Sequence, residues 1–187
     1  MNKRQTYIIF TVPNLLSLFR LALVSLFVWQ YSGMGRSAAG CAILLVSGLT
    51  DMLDGYIARR FNMVSDLGKI LDPVADKLTQ AVVLLCLAEK YRMMMLPLFI
   101  LLVKECVGAV LCVLAIRKSG LVQSSNWHGK LNTVVLYAVF AIHLIWPDIP
   151  RYFSMLAIYL SCLIMLLSFA LYSVGNFTVL IKSRKLR

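Results

Sequence analysis

Six apolar stretches, at about 14–31, 37–58, 70–88, 93–116, 131–147 and 153–181, fill most of this 187-residue chain and leave short connections between them, except for two longer polar ones, 59–69 and Arg117–Lys130. Several approach or exceed the ~20 residues that a helix needs to cross a bilayer. In hydrocarbon each backbone polar group must be satisfied internally, which a helix does within its own segment. Hydrophobic residues make up 60 % of the chain and charged residues only 14 %, a composition beyond the ordinary soluble range. The expectation is an all-α, polytopic membrane protein with six transmembrane helices, forming one domain over 1–187.

The net charge of +11 has a topological explanation. With both termini cytoplasmic, twelve Lys and Arg fall on the inner side and four (Arg36, Lys90, Arg92, Arg151) on the outer side, while Arg20, Lys77 and Lys104 lie within spans. That asymmetry satisfies the positive-inside rule and adds attraction to an anionic leaflet. The expected location is the cell membrane, multi-pass, with no nucleic-acid partner. Lys3 and Arg4 ahead of an apolar run resemble a signal peptide, but Pro13, Asn14 and Arg20 interrupt that run, so a retained first helix is expected. Cysteines 41, 86, 106, 112 and 162 lie singly in apolar stretches and read as small, buried, reduced side chains. His143, within span five, reads as a satisfied interhelical residue.

Against this background the acids stand out. Five of the eight in the chain fall between Asp51 and Asp76, in DMLDGYIARRFNMVSDLGKILDPVAD. A carboxylate at the bilayer centre costs about 2.5–3.5 kcal/mol even on the lenient insertion scale. Asp51 and Asp54 are three apart near the end of span two, ~60° apart around a helix and ~4.5 Å along it. Gly68, Asp72 and Asp76 follow at four-residue steps and open span three, with Pro73 near a helix start that tolerates it. Two antiparallel helices would bring these carboxylates face to face. Hard oxygen ligands suit two Mg²⁺ or Mn²⁺ ions, which can clamp a pyrophosphate and neutralise a departing phosphate. Gly55 and Gly68 allow a ligand close to the backbone, and Arg59 can meet phosphate with its planar fork.

The segment matches D-x-x-D-G-x-x-A-R-x8-G-x3-D-x3-D at every fixed position, through Asp51, Asp54, Gly55, Ala58, Arg59, Gly68, Asp72 and Asp76. In this the chain resembles the CDP-alcohol phosphatidyltransferases, and its length and six-span layout extend the resemblance over nearly all of it. Simple pairing of these acids with Arg59, Arg60, Lys69 and Lys77 would leave eight matches to accident. The resemblance implies transfer of a phosphatidyl group from CDP-diacylglycerol to an alcohol, with release of CMP. It implies Asp51, Asp54, Asp72 and Asp76 as ligands of two ions, Asp76 also as general base, and Gly55, Arg59 and Gly68 as CDP-binding residues. It further implies a homodimer and an active site at the cytoplasmic face. Asp66 matches no fixed position and reads as a cap or supporting residue.

The acceptor is written less clearly. Val12-Pro13-Asn14-Leu15-Leu16-Ser17 with Arg20 resembles members of the family that use sn-glycerol 3-phosphate and form phosphatidylglycerophosphate. Their phosphorylated acceptor calls for cations, and Lys104, Lys130, Arg117 and His128 are the candidates. Two departures count against it: Lys104 where that branch has Arg, and Asn132 where it has Lys. Lys130-Leu131-Asn132-Thr133 and Gly48-Leu49-Thr50-Asp51 instead resemble members whose acceptor is phosphatidylglycerol. Arg20 itself reads as structural or headgroup-contacting. A different class, a divalent-ion transporter, would spread its acids over several spans and depths, whereas here they gather at two helix ends.

Overall fold

The computed structural model describes residues 12–60, 68–119 and 127–185, and all the regular structure among them is helical. α1 (Val12–Val28) runs into a π-helical turn (Trp29–Gly33), followed by α2 (Ser37–Arg60) and α3 (Gly68–Lys90). A 3₁₀ turn (Arg92–Met94) leads into α4 (Met95–Ser119), then α5 (Trp127–Ile145) and α6 (Arg151–Lys185). The helix ends differ from the apolar spans by at most four residues. A helix continues past its greasy part for as long as its hydrogen bonds last.

Leu15–Gly33, Arg92–Val110 and Arg151–Leu171 are long and apolar enough to cross a membrane, while Ser37–Asp51 and Leu131–Ile145 are shorter apolar helical segments. α3 falls outside both groups because Lys69, Asp72, Asp76, Lys77, Glu89 and Lys90 interrupt it. Pro73 also stands deeper in α3 than the spacing suggested, in its second turn rather than its first. It removes the bond that the Lys69 carbonyl would otherwise accept.

Two compact units divide the chain, Met1–Cys86 and Leu87–Arg187, with the boundary inside α3. In the first, α1 packs against α2. Buried positions recur at three- and four-residue steps on both helices, at Ser17, Arg20, Leu23, Val24 and Phe27 on α1 and Cys41, Leu44 and Ser47 on α2. The reversal between them needs Gly35, whose φ of 67° few side chains accept. There the Arg36 N–H reaches back to the Gln30 carbonyl at 2.9 Å.

In the second unit α4 and α5 both pack against α6. One stripe of α6 is buried and rich in small polar residues (Ser154, Ile158, Ser161, Cys162, Met165, Ser168), and the other turns Leu156, Leu160, Leu163, Leu167 and Leu171 outward. Phe99 on α4 is 67 % exposed. Small residues inside and large apolar ones outside are what helices packing in lipid require. Soluble monomers rarely carry so wide an apolar surface. Cys41, Cys86 and Cys162 are buried, as expected, but Cys106 is exposed on the apolar outside, and the side chain of Cys112 lies outside the described residues.

Candidate active site

The acidic segment lies in the first unit, divided between the last turns of α2 and the first turns of α3. Asp51 stands on α2, and Asp72 and Asp76 on α3, where they are partly buried. Asp51 feels the charge of both Asp76 and Asp72, so the two α3 carboxylates lie near the α2 one. Asp54, Gly55 and Arg59 follow on α2, and Gly68 is the first residue of α3. Their side-chain surroundings lie outside the described residues, as does all of Asp66.

α1 supplies two of the partners. Arg20, 1 % exposed, pairs through Nη2 with Asp51 Oδ1 at 2.6 Å, while Asp51 remains 50 % exposed. Three residues earlier, the buried Ser17 hydroxyl donates to Asp72 Oδ1. Residues three apart share a helix face, so one stripe of α1 reaches an acid on each of the other two helices. Among the described residues Asp76 draws its partners from its own helix. Gln80 Nε2 donates to Oδ1 at 3.1 Å and to Oδ2 at 3.0 Å, and Lys77 Nζ lies 3.5 Å from Oδ2.

Two acids do therefore meet cations. Lys77 was among those named for such pairing, whereas Arg20 reaches Asp51 from a different helix. Ser17 and Gln80, which hydrogen-bond two of the acids, carried no expectation from the sequence, while the pairing of Arg20 with Asp51 is compatible with the structural role expected of it. A signal existed for each: Ser17 and Arg20 are three apart, and Gln80 is the next four-residue step after Gly68, Asp72 and Asp76.

The acceptor candidates belong to the second unit. Lys104 is mid-α4, and its Nζ lies 3.9 Å from Glu105 Oε1. Adjacent helix residues point apart, yet two long side chains bend far enough to reach the outer limit of an ion pair. Arg117 falls in the last turn of α4 and His128 and Lys130 in the first turn of α5, so helix extends into both ends of the polar stretch Arg117–Lys130. Their side chains lie outside the described residues. Asn132 is buried, and neither its Nδ2 nor its Oδ1 has a hydrogen-bond partner among the described residues.

A family model for CDP-alcohol phosphatidyltransferase matches residues 10–178. Similar curated proteins include the CMP-forming cardiolipin synthase of Streptomyces coelicolor, 36 % identical over 149 residues, or 75 % of this chain and 68 % of that one. The CDP-diacylglycerol–glycerol-3-phosphate 3-phosphatidyltransferase of Pectobacterium atrosepticum is 36 % identical over 140 residues, 71 % of this chain and 76 % of the relative. The Escherichia coli K12 protein of the same name is 32 % identical over 148 residues, 75 % and 80 % of the two chains. The chain belongs to the CDP-alcohol phosphatidyltransferase family, whose matched region takes in both units and the whole acidic segment.

That family generally uses divalent metal ions. Among the described residues no three His, Cys, Asp or Glu side chains are gathered tightly enough to hold one; Asp54, the fourth carboxylate, is not among those whose side chains are described. The donor chemistry nevertheless fits hard cations, since every described candidate is a carboxylate and Asp51 feels the charge of the other two.

Proposed function

We propose that this protein transfers the phosphatidyl group of CDP-diacylglycerol to sn-glycerol 3-phosphate, releasing CMP and forming phosphatidylglycerophosphate. The observation that carries this reading is a motif of eight fixed residues in which Asp51 on α2 lies near enough to Asp72 and Asp76 on α3 to feel their charge. Membership of the family and the names of the Pectobacterium and Escherichia relatives support it.

In this reading Asp51, Asp54, Asp72 and Asp76 hold two Mg²⁺ or Mn²⁺ ions, which when bound offset the pyrophosphate charge. Gly55, Arg59 and Gly68 receive the CDP moiety, Arg59 with a guanidinium that matches phosphate geometry. Asp76 takes the proton of the acceptor hydroxyl. The hydroxyl oxygen forms a bond to the phosphatidyl phosphorus as the phosphorus–oxygen bond to CMP breaks. Lys104, Lys130, Arg117 and His128 draw the acceptor phosphate. Six helices span the membrane with both termini cytoplasmic, so the chemistry faces the compartment that supplies a water-soluble acceptor. The protein works in the bilayer as a homodimer.

A second reading, phosphatidylglycerol as acceptor, draws on Asn132, uncharged where a phosphorylated acceptor favours a cation, and on the name of the Streptomyces relative. The deciding experiment offers labelled CDP-diacylglycerol with glycerol 3-phosphate, phosphatidylglycerol, inositol phosphate, inositol or serine. Product with glycerol 3-phosphate alone is expected. Product only with phosphatidylglycerol selects the second reading, and no Mg²⁺-dependent CMP release with any acceptor ends both, reopening the transporter class.

A further inference from the structure

We infer that Gln80 is a positioning residue for the transfer reaction, holding the Asp76 carboxylate in the plane from which it meets the acceptor hydroxyl. This rests on the phosphatidyl-transfer reading above. Gln80 follows Asp76 by one helical turn on α3, which places the two side chains on one face. It is fully buried. Its Nε2 donates to Oδ1 at 3.1 Å and Oδ2 at 3.0 Å, nearly symmetrically.

A carboxylate turns easily about its terminal torsion, whose minima are broad. A donor touching both oxygens removes that freedom, whereas Lys77 approaches only Oδ2 from a partly exposed, flexible stem. The amide has a defined sense as well. Its Oε1 is buried without a hydrogen-bond partner among the described residues, and turning the amide over would set that oxygen against a carboxylate. The electrostatics therefore select the orientation with nitrogen toward Asp76. Asp51 and Asp72 take partners from α1, so their settings follow any movement of that helix. Among the described residues Asp76 takes its hydrogen bonds from its own helix, so its setting does not depend on a contact with α1. A base that must accept a proton along one line gains most from such an internal brace.

The test uses the full-length protein in lipid-containing micelles, with Gln80→Met, which keeps length but not hydrogen bonding. Gln80→Asn is the second variant, with an amide too short to brace both oxygens, and decides the matter if the first fails to fold. Thr79→Val controls for buried hydrogen bonding one residue away, since among the described residues the Thr79 hydroxyl bonds to the Ala75 carbonyl alone, at 2.7 Å. Expected are a fall in kcat for CMP release of at least about tenfold in both Gln80 variants and a KM for CDP-diacylglycerol within about twofold of wild type. Mn²⁺ affinity, read by electron paramagnetic resonance, should weaken several-fold, and Thr79→Val should leave kcat and Mn²⁺ binding unchanged. Wild-type kcat and Mn²⁺ affinity in the folded Gln80 variants would overturn the inference. So would equal losses in Thr79→Val that track thermal stability. If the wild type releases no CMP with any acceptor, the parent reading fails, and the Mn²⁺ comparison alone decides whether Gln80 braces Asp76.

Discussion

Each unit buries a cluster of polar side chains, and the two clusters are built to opposite ends. In the second unit, His143 is fully buried, with one ring nitrogen 2.8 Å from the Val139 carbonyl and the other 2.9 Å from the Ser154 hydroxyl. The Tyr91 ring meets it edge-on with centroids 4.7 Å apart, and the Tyr91 hydroxyl donates to the Pro147 carbonyl at 2.5 Å. Burial and the neighbouring Asp148 push the Tyr91 phenol up from its ordinary range, which keeps it a neutral donor. That cluster is closed and joins α5, α6 and the turn before α4. The cluster in the first unit has three carboxylates, of which Asp51 is half exposed and feels the charge of the other two, and among the described residues they meet Arg20, Lys77 and two neutral donors. Satisfied neutral groups hold helices together, whereas carboxylates gathered together and left partly open are suited to a ligand.

The sharpest way to break this contrast is to remove what the first cluster is held to need. Chelation of divalent metal should abolish CMP release, with recovery on adding Mg²⁺ or Mn²⁺; turnover that survives chelation would remove the ions from the site. Asp76→Asn should lower turnover by about 10²–10⁴-fold, the usual worth of a general base, while the protein still inserts and elutes normally. A wild-type rate would take Asp76 out of that role. Lys104→Ala should raise KM for glycerol 3-phosphate by about tenfold, one charge-assisted contact, with little change for CDP-diacylglycerol. An unchanged value would make Lys104 a structural partner of Glu105. The smallest effect on activity belongs to the second cluster. His143→Phe should leave kcat within about twofold and cost about 1–3 kcal/mol of stability from the hydrogen-bonding groups left unpaired, read as a lower Tm. A large loss of kcat at unchanged Tm would show that the closed cluster takes part in the reaction.

Much of the site was legible in residue order because it is built from helical repeats. Asp51 with Asp54, and Gly68 with Asp72 and Asp76, each fall on one helix face by spacing alone. Gln80 extends the same stripe but was passed over, since an amide in an apolar helix carries no charge to draw notice. Arg20 could not be paired from order alone, because its partner lies 31 residues away on another helix and nearer acids were equally available. The same limit applied to Lys104, whose reach to Glu105 depends on side-chain torsions rather than on spacing.

By itself the sequence determined the helices, their apolar length and the place of the acidic segment, because backbone hydrogen bonding in lipid leaves a greasy chain few alternatives. It also carried the family, through eight residues in one register. Tertiary structure alone decided which side chains attend the acids. Ser17 and Arg20 reach Asp72 and Asp51 because α1 lies against α2 and turns one stripe toward both acid-bearing helices. Such contacts follow from the packing of whole helix faces, which no local spacing encodes.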